Sequence, residues 1–420
     1  MDILQDLMDR GLLHQVTDQD GLNKKLNEGP ITLYAGFDPT ADSLHIGSLV
    51  PILCLVRFQK AGHIPVALVG GGTGLIGDPS GKASERTLNT AEVVDQWTEK
   101  LRIQLSRFLD FNADQNPAQM ANNYDWFKQL NVIEFLRDIG KHFPLNYMLA
   151  KDSVDSRLSK GISFTEFSYM ILQAYDFLKL SQENNCSLQI GGSDQWGNIT
   201  AGMELIGRTT GNSAFGLTFP LVTKSDGTKF GKTESGTIWL DASKTSPYQF
   251  YQFWLNVDDQ DVIRFLKYFT FLSIEEIREL EGELKLSPEL RTAQRALARE
   301  VTALVHGDQA VASSENISQL LFNGQIEQLS GDEIEQAFQD VPSVEITNSE
   351  AIGLVDLLIT AQASPSKRQA RQDIESGAIY INGARVIEVD KLLAHEDRLS
   401  GKYIVIRRGK KNYYLVKFIQ

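Results

Sequence analysis

The sequence predicts an α/β fold: a parallel-sheet domain with its ligand site at the strand ends, then an α-helical domain, then a small α+β domain. Three observations predict it. In the first half, short β-rich runs alternate with helical stretches; 31–37 (ITLYAGF), 65–69 (PVALV) and 187–190 (SLQI) read as buried strands, each running into Gly or Asp. Strand-then-helix repetition implies a parallel sheet whose ligand site lies beyond the carboxyl ends of its strands. From 247 to 322 the pattern turns almost wholly helical, with YQFYQFWLNV, DVIRFLKYFT, IEEIREL and RTAQRALAREVTALVHG in succession. From 351 to the end it switches to short helices and then strands (AIYING, YIVIRRG, NYYLVKFI).

These elements divide the chain. Residues 1–222 form the sheet domain, in which 45–62 is apolar-periodic and long enough for a helix. Residues 223–246 are rich in turn-formers and read as a mobile loop and connector. Residues 247–322 form the helical domain. Residues 323–350 are acidic, low in aromatics and broken by Pro342, the composition of a linker or weakly packed connector. Residues 351–420 form the terminal domain.

A chain of 420 residues exceeds one ordinary core, which fits two or three domains. With 42% hydrophobic and 23% charged residues the balance is that of a soluble globular protein. The longest apolar run, 49–56, stops at Arg57, too short to cross a bilayer. The N-terminus, MDILQDLMDRGLL, has early acids and no small-residue cleavage site, so it reads as neither signal nor transit peptide. Cys54 and Cys186 lie far apart, which argues against a disulfide framework and a zinc site and favours a reducing cytoplasm. The net charge of −13 conceals an asymmetry: from Gly353 onward 12 Lys and Arg face 7 Asp and Glu, a local +5, leaving −18 on the rest. An acidic body with a basic tail confines polyanion binding to chosen surfaces.

Five constellations carry chemistry. Tyr34-Ala35-Gly36-Phe37-Asp38-Pro39-Thr40 ends the first strand, and His45-Ile46-Gly47-Ser48 opens the next helix. Helix N-termini present unpaired N–H groups that suit phosphate. Gly47 allows a base or ribose close to the backbone, and Thr40 and His45 can donate to phosphate oxygens as charge develops. The bland alternative is a structural turn with a capping histidine. The second constellation, residues 70–82, holds six glycines after a buried strand. It is not a P-loop, because only three residues separate Gly77 from Gly81 and Ala83 replaces the magnesium-binding Ser/Thr. Asp78 suits an amino group, and Lys82 and Arg86 suit phosphate.

The third is the helix 164–180, where Tyr169, Gln173 and Asp176 recur at i, i+4 and i+7 on one face of an otherwise apolar segment. Asp176 can accept from a hydroxyl, and Tyr169 and Gln173 can meet an ammonium; alone, such a stripe would read as the solvated face. The fourth, 189–198 (QIGGSDQWGN), places Asp194 for ribose hydroxyls and Gln195 for a substrate carbonyl, or else holds an ordinary N-cap aspartate. The fifth, Lys229-Phe230-Gly231-Lys232-Thr233, offers two lysines for a triphosphate, or else is an exposed basic hairpin.

Together these motifs resemble class I aminoacyl-tRNA synthetases, specifically the bacterial-type tyrosyl-tRNA synthetase family. His45-Ile46-Gly47-Ser48 is similar to the class HIGH motif and KFGKT to its KMSKS loop. The blocks YAGFDPT, GGGTGLIGDPSGK, GGSDQWGN and KFGKT stand in the family's order, so the resemblance spans essentially the whole chain. It implies a Rossmann-like catalytic domain, a helical anticodon-stem-binding domain and an S4-like RNA-binding domain from about Ala351. By the same resemblance Tyr34 and Asp176 meet the phenolic hydroxyl of tyrosine, Asp78, Tyr169 and Gln173 its ammonium, and Gln195 its carboxylate. Gly36, Asp38, Gly47, Gly192 and Asp194 fall at adenylate-contacting positions. Thr40, His45, Ser48, Lys82, Arg86, Lys229, Lys232 and Thr233 fall in the catalytic phosphate-handling set. Lys367, Arg368 and Arg371 fall in the RNA-binding segment. Ser48 departs from the signature, which has a second histidine there, and Phe230-Gly231 replaces Met-Ser of the wider motif.

The implied substrates are tyrosine, ATP with its carried Mg²⁺, and tRNA(Tyr), with no protein-held metal. The implied assembly is a cytoplasmic homodimer without membrane contact. Phenylalanine is rejected without an editing domain, because a site built around a hydroxyl is left unsatisfied by the analogue, a rule for which tyrosyl enzymes are themselves the usual example. Three rivals stand: a tryptophanyl enzyme of the same class, a small-molecule nucleotidylyltransferase, and a non-catalytic RNA-binding relative.

Overall fold

The computed structural model describes residues 2–80, 88–159, 161–225, 230–233, 236–347, 351–409 and 412–419. Its chain divides into two compact units: Met1–Thr233, Thr237–Asp241 and Val257–Leu297 form one, and Glu234–Gly236, Ala242–Asn256 and Ala298–Gln420 the other.

The first unit is built on a six-stranded sheet in the order β1-β6-β5-β2-β3-β4. The strands are β1 (Gln15–Val16), β2 (Thr32–Phe37), β3 (Ile64–Val69), β4 (Gln119–Asn122), β5 (Cys186–Gly192) and β6 (Phe215–Phe219). Only β1 runs antiparallel, against β6; the other neighbours are parallel. Parallel strands are covered on both faces, which explains the near-continuous apolar runs of β2 and β3. In β2 every residue except Gly36 is buried.

The three strands expected from sequence are β2, β3 and β5, within two residues at each end. Chain order runs outward from β2 to β3 and β4, then returns to place β5 on the other side of β2. That reversal makes a topological switch point between the carboxyl ends of β2 and β5, where such sheets open a crevice.

Helix α1 (Leu49–Lys60) is buried along most of its length and packs on β2 and β3. Helix α2 (Ala91–Leu105) starts at Thr90, whose hydroxyl accepts from the Val93 amide. Helix α3 (Phe164–Asn184) starts at Ser163, which caps the Glu166 amide, and stops at Asn185 in the left-handed region. It lies against α4 (Trp196–Thr210), and its Phe177 ring sits 5.3 Å from that of Tyr34.

The segment 247–322 is helical, as its pattern predicts, but its helices divide between the units. Helix α5 (Pro247–Leu255), closed by a Ser246/Gln249 capping box, packs on α7 (Asp308–Asn323) in the second unit. Helix α6 (Asp259–Phe269) belongs to the first, where it contacts α1 and buries Val262, Phe265, Leu266 and Phe269.

The second unit carries a five-stranded sheet formed by β7 (Ser343–Thr347), β8 (Ile379–Ile381), β9 (Ala384–Val386), β10 (Tyr403–Arg408) and β11 (Asn412–Ile419). Their order is β9-β8-β10-β11-β7, with β7 parallel to β11. The segment read as a connector therefore supplies a strand. It also supplies α8 (Gly331–Ala337) and buries Ile326, Leu329, Ile334 and Phe338 against Ile317, Tyr403, Val405 and Leu415. Its apolar residues are too widely spaced to show a local period, yet Ile326, Leu329, Ile334 and Phe338 share one core and Val344 and Ile346 pack against a second. Among the described residues no helix is long and apolar enough to cross a membrane.

Candidate active site

A cavity of ≈ 330 Å³ opens at the switch point of the first unit. Fourteen of the site residues expected from sequence line it: Tyr34, Gly36, Asp38, Thr40, His45, Gly47, Ser48, Asp78, Tyr169, Gln173, Asp176, Gly192, Asp194 and Gln195. They come from the ends of β2, β3 and β5, from the start of α1, and from one face of α3.

One end of the cavity is buried and built of paired donors and acceptors. Asp176, 2% exposed, accepts from Trp126 Nε1 at 2.9 Å on one carboxylate oxygen and from Asn123 Nδ2 at 3.0 Å on the other. Burial pushes its carboxyl well above the usual carboxylate range, and the two N–H donors pull the other way. Beside it Tyr34 is fully buried, and its hydroxyl has no hydrogen-bond partner among the described residues. Burial first, and then the charge of Asp176, push the Tyr34 phenol well above its ordinary value, so it stays a donor. The stripe on α3 thus faces inward.

A second network sits above this floor. The Tyr169 hydroxyl donates to Asp38 Oδ2 at 2.7 Å, which leaves the phenol oxygen as an acceptor toward the cavity. Burial, followed by the charges of Asp38 and Asp78, raises the Tyr169 phenol well above its usual value. Thr73 Oγ1 donates to Asp38 Oδ1 at 2.7 Å and accepts from Asn123 Nδ2 at 2.8 Å, joining the two networks. Asp78 accepts from the Ser80 amide at 2.9 Å and from Gln195 Nε2 at 2.9 Å. Asn198 donates to Gln173 Oε1 at 3.0 Å and to Gln195 Oε1 at 3.2 Å, fixing the orientation of both amides.

The opposite end is more open. His45 Nδ1 accepts from the Gly47 amide at 3.0 Å, which in the neutral ring assigns the proton to Nε2. An added Cβ on Gly36 would meet no atom within 4 Å, so the bare backbone of β2 forms a flat wall there. The segment carrying His45 is tied to a distant one: Ile46 N donates to Ile238 O, and Leu240 N to Leu44 O. The backbone of Lys232-Thr233 forms a short strand. Lys82, Arg86 and Lys229 lie outside the described residues.

The family profile described as tRNA synthetases class I (W and Y) matches residues 26–323, and that of the tyrosine–tRNA ligase SYY-like C-terminal domain matches 333–416. The chain belongs to the class I aminoacyl-tRNA synthetases. It is 65% identical over 419 residues to the tyrosine–tRNA ligase of Geobacillus kaustophilus, covering 100% of both chains. It is 62% identical over 418 residues to tyrosine–tRNA ligase 1 of Bacillus subtilis, covering 99% of each. Among solved structures, a C-terminally truncated mitochondrial tyrosyl-tRNA synthetase of Aspergillus nidulans superposes with a TM-score of 0.70 at 32% identity, over 76% of this chain and 94% of that one.

In this synthetase the residues that sequence reasoning missed are the supports. Asn123, Trp126, Thr73 and Asn198 hold the side chains that face the ligand. A signal for the first two existed, since a carboxylate on an otherwise apolar helix demands buried donors. The RNA-binding candidates sit in the second unit on α9 (Lys367–Glu375), which buries Ala370, Asp373 and Ile374 and leaves Lys367, Arg368 and Arg371 exposed. Lys367 pairs with Asp356 at 2.7 Å.

Proposed function

We propose that this synthetase activates L-tyrosine with ATP and transfers the tyrosyl group to the 3′ end of tRNA(Tyr). The observation that carries the reading is the cavity floor: a buried carboxylate, Asp176, beside a buried phenol, Tyr34, without a partner among the described residues. A phenolic hydroxyl entering there donates to Asp176 and accepts from Tyr34. An indole brings a donor and no acceptor, and a phenyl ring brings neither, so each leaves a buried group unanswered. The tyrosine ammonium then faces Tyr169 Oη, Gln173 and Asp78, and its carboxylate lies toward Gln195.

From that position the carboxylate attacks the α-phosphorus of ATP in line, and the bond to the bridging oxygen breaks as pyrophosphate leaves. No covalent enzyme intermediate or general base is required. The protein contributes positioning and stabilisation of charge on the departing group. Thr40 and His45 Nε2–H serve that end, with Lys82, Arg86, Lys229, Lys232 and Thr233 from the two loops. Ser48 supplies a hydroxyl where the class signature has imidazole. ATP enters as its magnesium complex, with Gly36, Gly47, Asp38, Gly192 and Asp194 along the nucleoside. The terminal adenosine hydroxyl of the tRNA then attacks the carbonyl of the mixed anhydride, and AMP leaves.

The same reading makes the enzyme a cytoplasmic homodimer. Supporting the dimer, seven large apolar side chains are exposed between Val132 and Phe164, among them Ile133 at 66%, Leu145 at 66% and Phe164 at 77%. Supporting RNA contact in the second unit, Lys367, Arg368 and Arg371 project from one short helix.

The test is amino-acid-dependent exchange of labelled pyrophosphate into ATP, with tyrosine, phenylalanine and tryptophan run in parallel. Exchange with tyrosine alone is expected. Exchange with tryptophan keeps the class and overturns the specificity, and no exchange in folded protein favours a non-catalytic RNA-binding role.

A further inference from the structure

The geometry points to helix α6 as the post that fastens the KFGKT segment at Phe230 and the chain just upstream of it at Thr223 and Ser225, with Phe230 and Asp261 as positioning residues for amino-acid activation. This rests on the function proposed above, because it is the phosphate-handling role of that segment that gives its placement a consequence.

Asp261, Arg264, Phe265 and Phe269 stand at i, i+3, i+4 and i+8 of α6, on one face. The first two hold the upstream flank. Asp261, 2% exposed, accepts on Oδ2 from the Ser225 amide at 3.0 Å and the Ser225 hydroxyl at 3.2 Å. Arg264 donates to the Thr223 carbonyl at 2.6 Å and pairs with Asp261. The second two hold the segment itself. The Phe230 ring meets Phe265 edge-on at 4.9 Å and stacks on Phe269 at 5.3 Å with 15° between planes. Phe265 and Phe269 are themselves core residues, 1% and 0% exposed, so the rings that receive Phe230 are fixed.

From Phe230 the constraint passes directly toward the cavity. Gly231 has φ +82°, and a Cβ there would lie 2.9 Å from Ile46 Cγ1, so a side chain is excluded both by backbone conformation and by contact. The Gly231 carbonyl accepts from Ile238 N, and the Ile238 carbonyl accepts from Ile46 N, each at 3.1 Å. Ile46 follows His45. No residue of α6 lines the cavity, so the helix acts only through what it holds. A hydrophobic ring at 230 is thus a register pin that sets where the backbone of 231–233 stands relative to the His45 turn.

The test uses the full-length enzyme and the variants Phe230→Ala, Phe230→Met and Asp261→Asn. For Phe230→Ala, kcat of tyrosine-dependent pyrophosphate exchange is expected to fall about ten- to a hundredfold, the scale of a small misplacement of reacting groups. Its tyrosine Kd by equilibrium dialysis should stay within about twofold, because the tyrosine-binding groups are untouched. Phe230→Met, which refills the space with the residue the wider motif carries, should recover to within about fivefold of the parent. Asp261→Asn, nearly isosteric, should lose less than Phe230→Ala, and the double variant should lose less than the product of the two, since both act on one loop.

Limited trypsin cleavage across residues 224–232 reads the post without any chemistry. It should accelerate in Phe230→Ala and not in Phe230→Met. Parent-like kcat in Phe230→Ala overturns the proposal, as does an equal defect in the Ala and Met variants, or a loss of tyrosine affinity in step with kcat. If the parent shows no tyrosine-dependent exchange while the cleavage pattern shifts as expected, the proposed function fails and α6 remains only a structural anchor. If neither is seen, both fall.

Discussion

The two ends of the cavity are built on opposite plans. At the floor the polar groups are buried or half-buried and, the Tyr34 hydroxyl apart, held by one another: Asp176 by Asn123 and Trp126, Asp38 by Tyr169 and Thr73, Gln173 and Gln195 by Asn198. At the open end, among the described residues, the segments are joined by backbone pairing, as 44–46 meets 238–240, and by the edge-on contact of His45 with Trp239. Under the proposed function the difference follows from what each end has to recognise. A neutral hydroxyl is distinguished from a missing one only if its partners are dry, fixed and otherwise unsatisfied. A polyphosphate carries enough charge to be held by donors that water reaches, and those donors have to move with it as pyrophosphate departs.

Breaking the buried end should therefore have the largest effect and the narrowest scope. Asp176→Ala is expected to lower kcat/KM for tyrosine by about 10²- to 10³-fold, the scale of losing a charge-assisted bond and stranding its buried partners. Its KM for ATP should stay near that of the parent. Parent-like tyrosine activation would remove the inward-facing stripe of α3 from the account.

Breaking the open end should have a somewhat smaller effect on a different parameter. His45→Ala is expected to reduce kcat for activation by about 10²-fold, as for loss of one transition-state donor, with tyrosine affinity preserved. If tyrosine Kd rises in step, the two ends are not separable.

The smallest effect sharpens the electrostatic side of the contrast. Because burial raises the Asp176 carboxyl above its ordinary value of 3.8, the folded chain holds that proton more tightly than the unfolded one. This group therefore favours the fold at acid pH, and the contribution is lost as pH rises through the raised value. Urea melts of Asp176→Ala and the parent at several pH values should show the variant's relative stability improving from acid to neutral pH. A flat or opposite trend would mean that the Asn123 and Trp126 donors outweigh the burial.

Much of the site was legible in the chain because each motif is continuous. YAGFDPT, the glycine-rich run, the helix 164–180 and GGSDQWGN each carry several cavity-lining residues; the helix offers one face, and the other three follow strands that end at the switch point. The supports were not legible in the same way. Asn123 and Trp126 follow β4, a four-residue polar strand without an apolar run to announce it, and reach Asp176 from about fifty positions away.

What the sequence determined by itself is the order of elements, the residues that line the cavity at the strand ends and the family, because hydrophobic period and short motifs are local properties. What only the tertiary structure decided is which way the Tyr169–Asp176 stripe faces, which buried donors answer its carboxylate, and how 247–322 divides between two cores. It also showed that 323–350 contributes a helix and a strand to the second unit. The physical reason is common to all of these. A polar or apolar group takes its partner from whatever three-dimensional packing brings within a few ångströms, and separation along the chain carries no record of that choice.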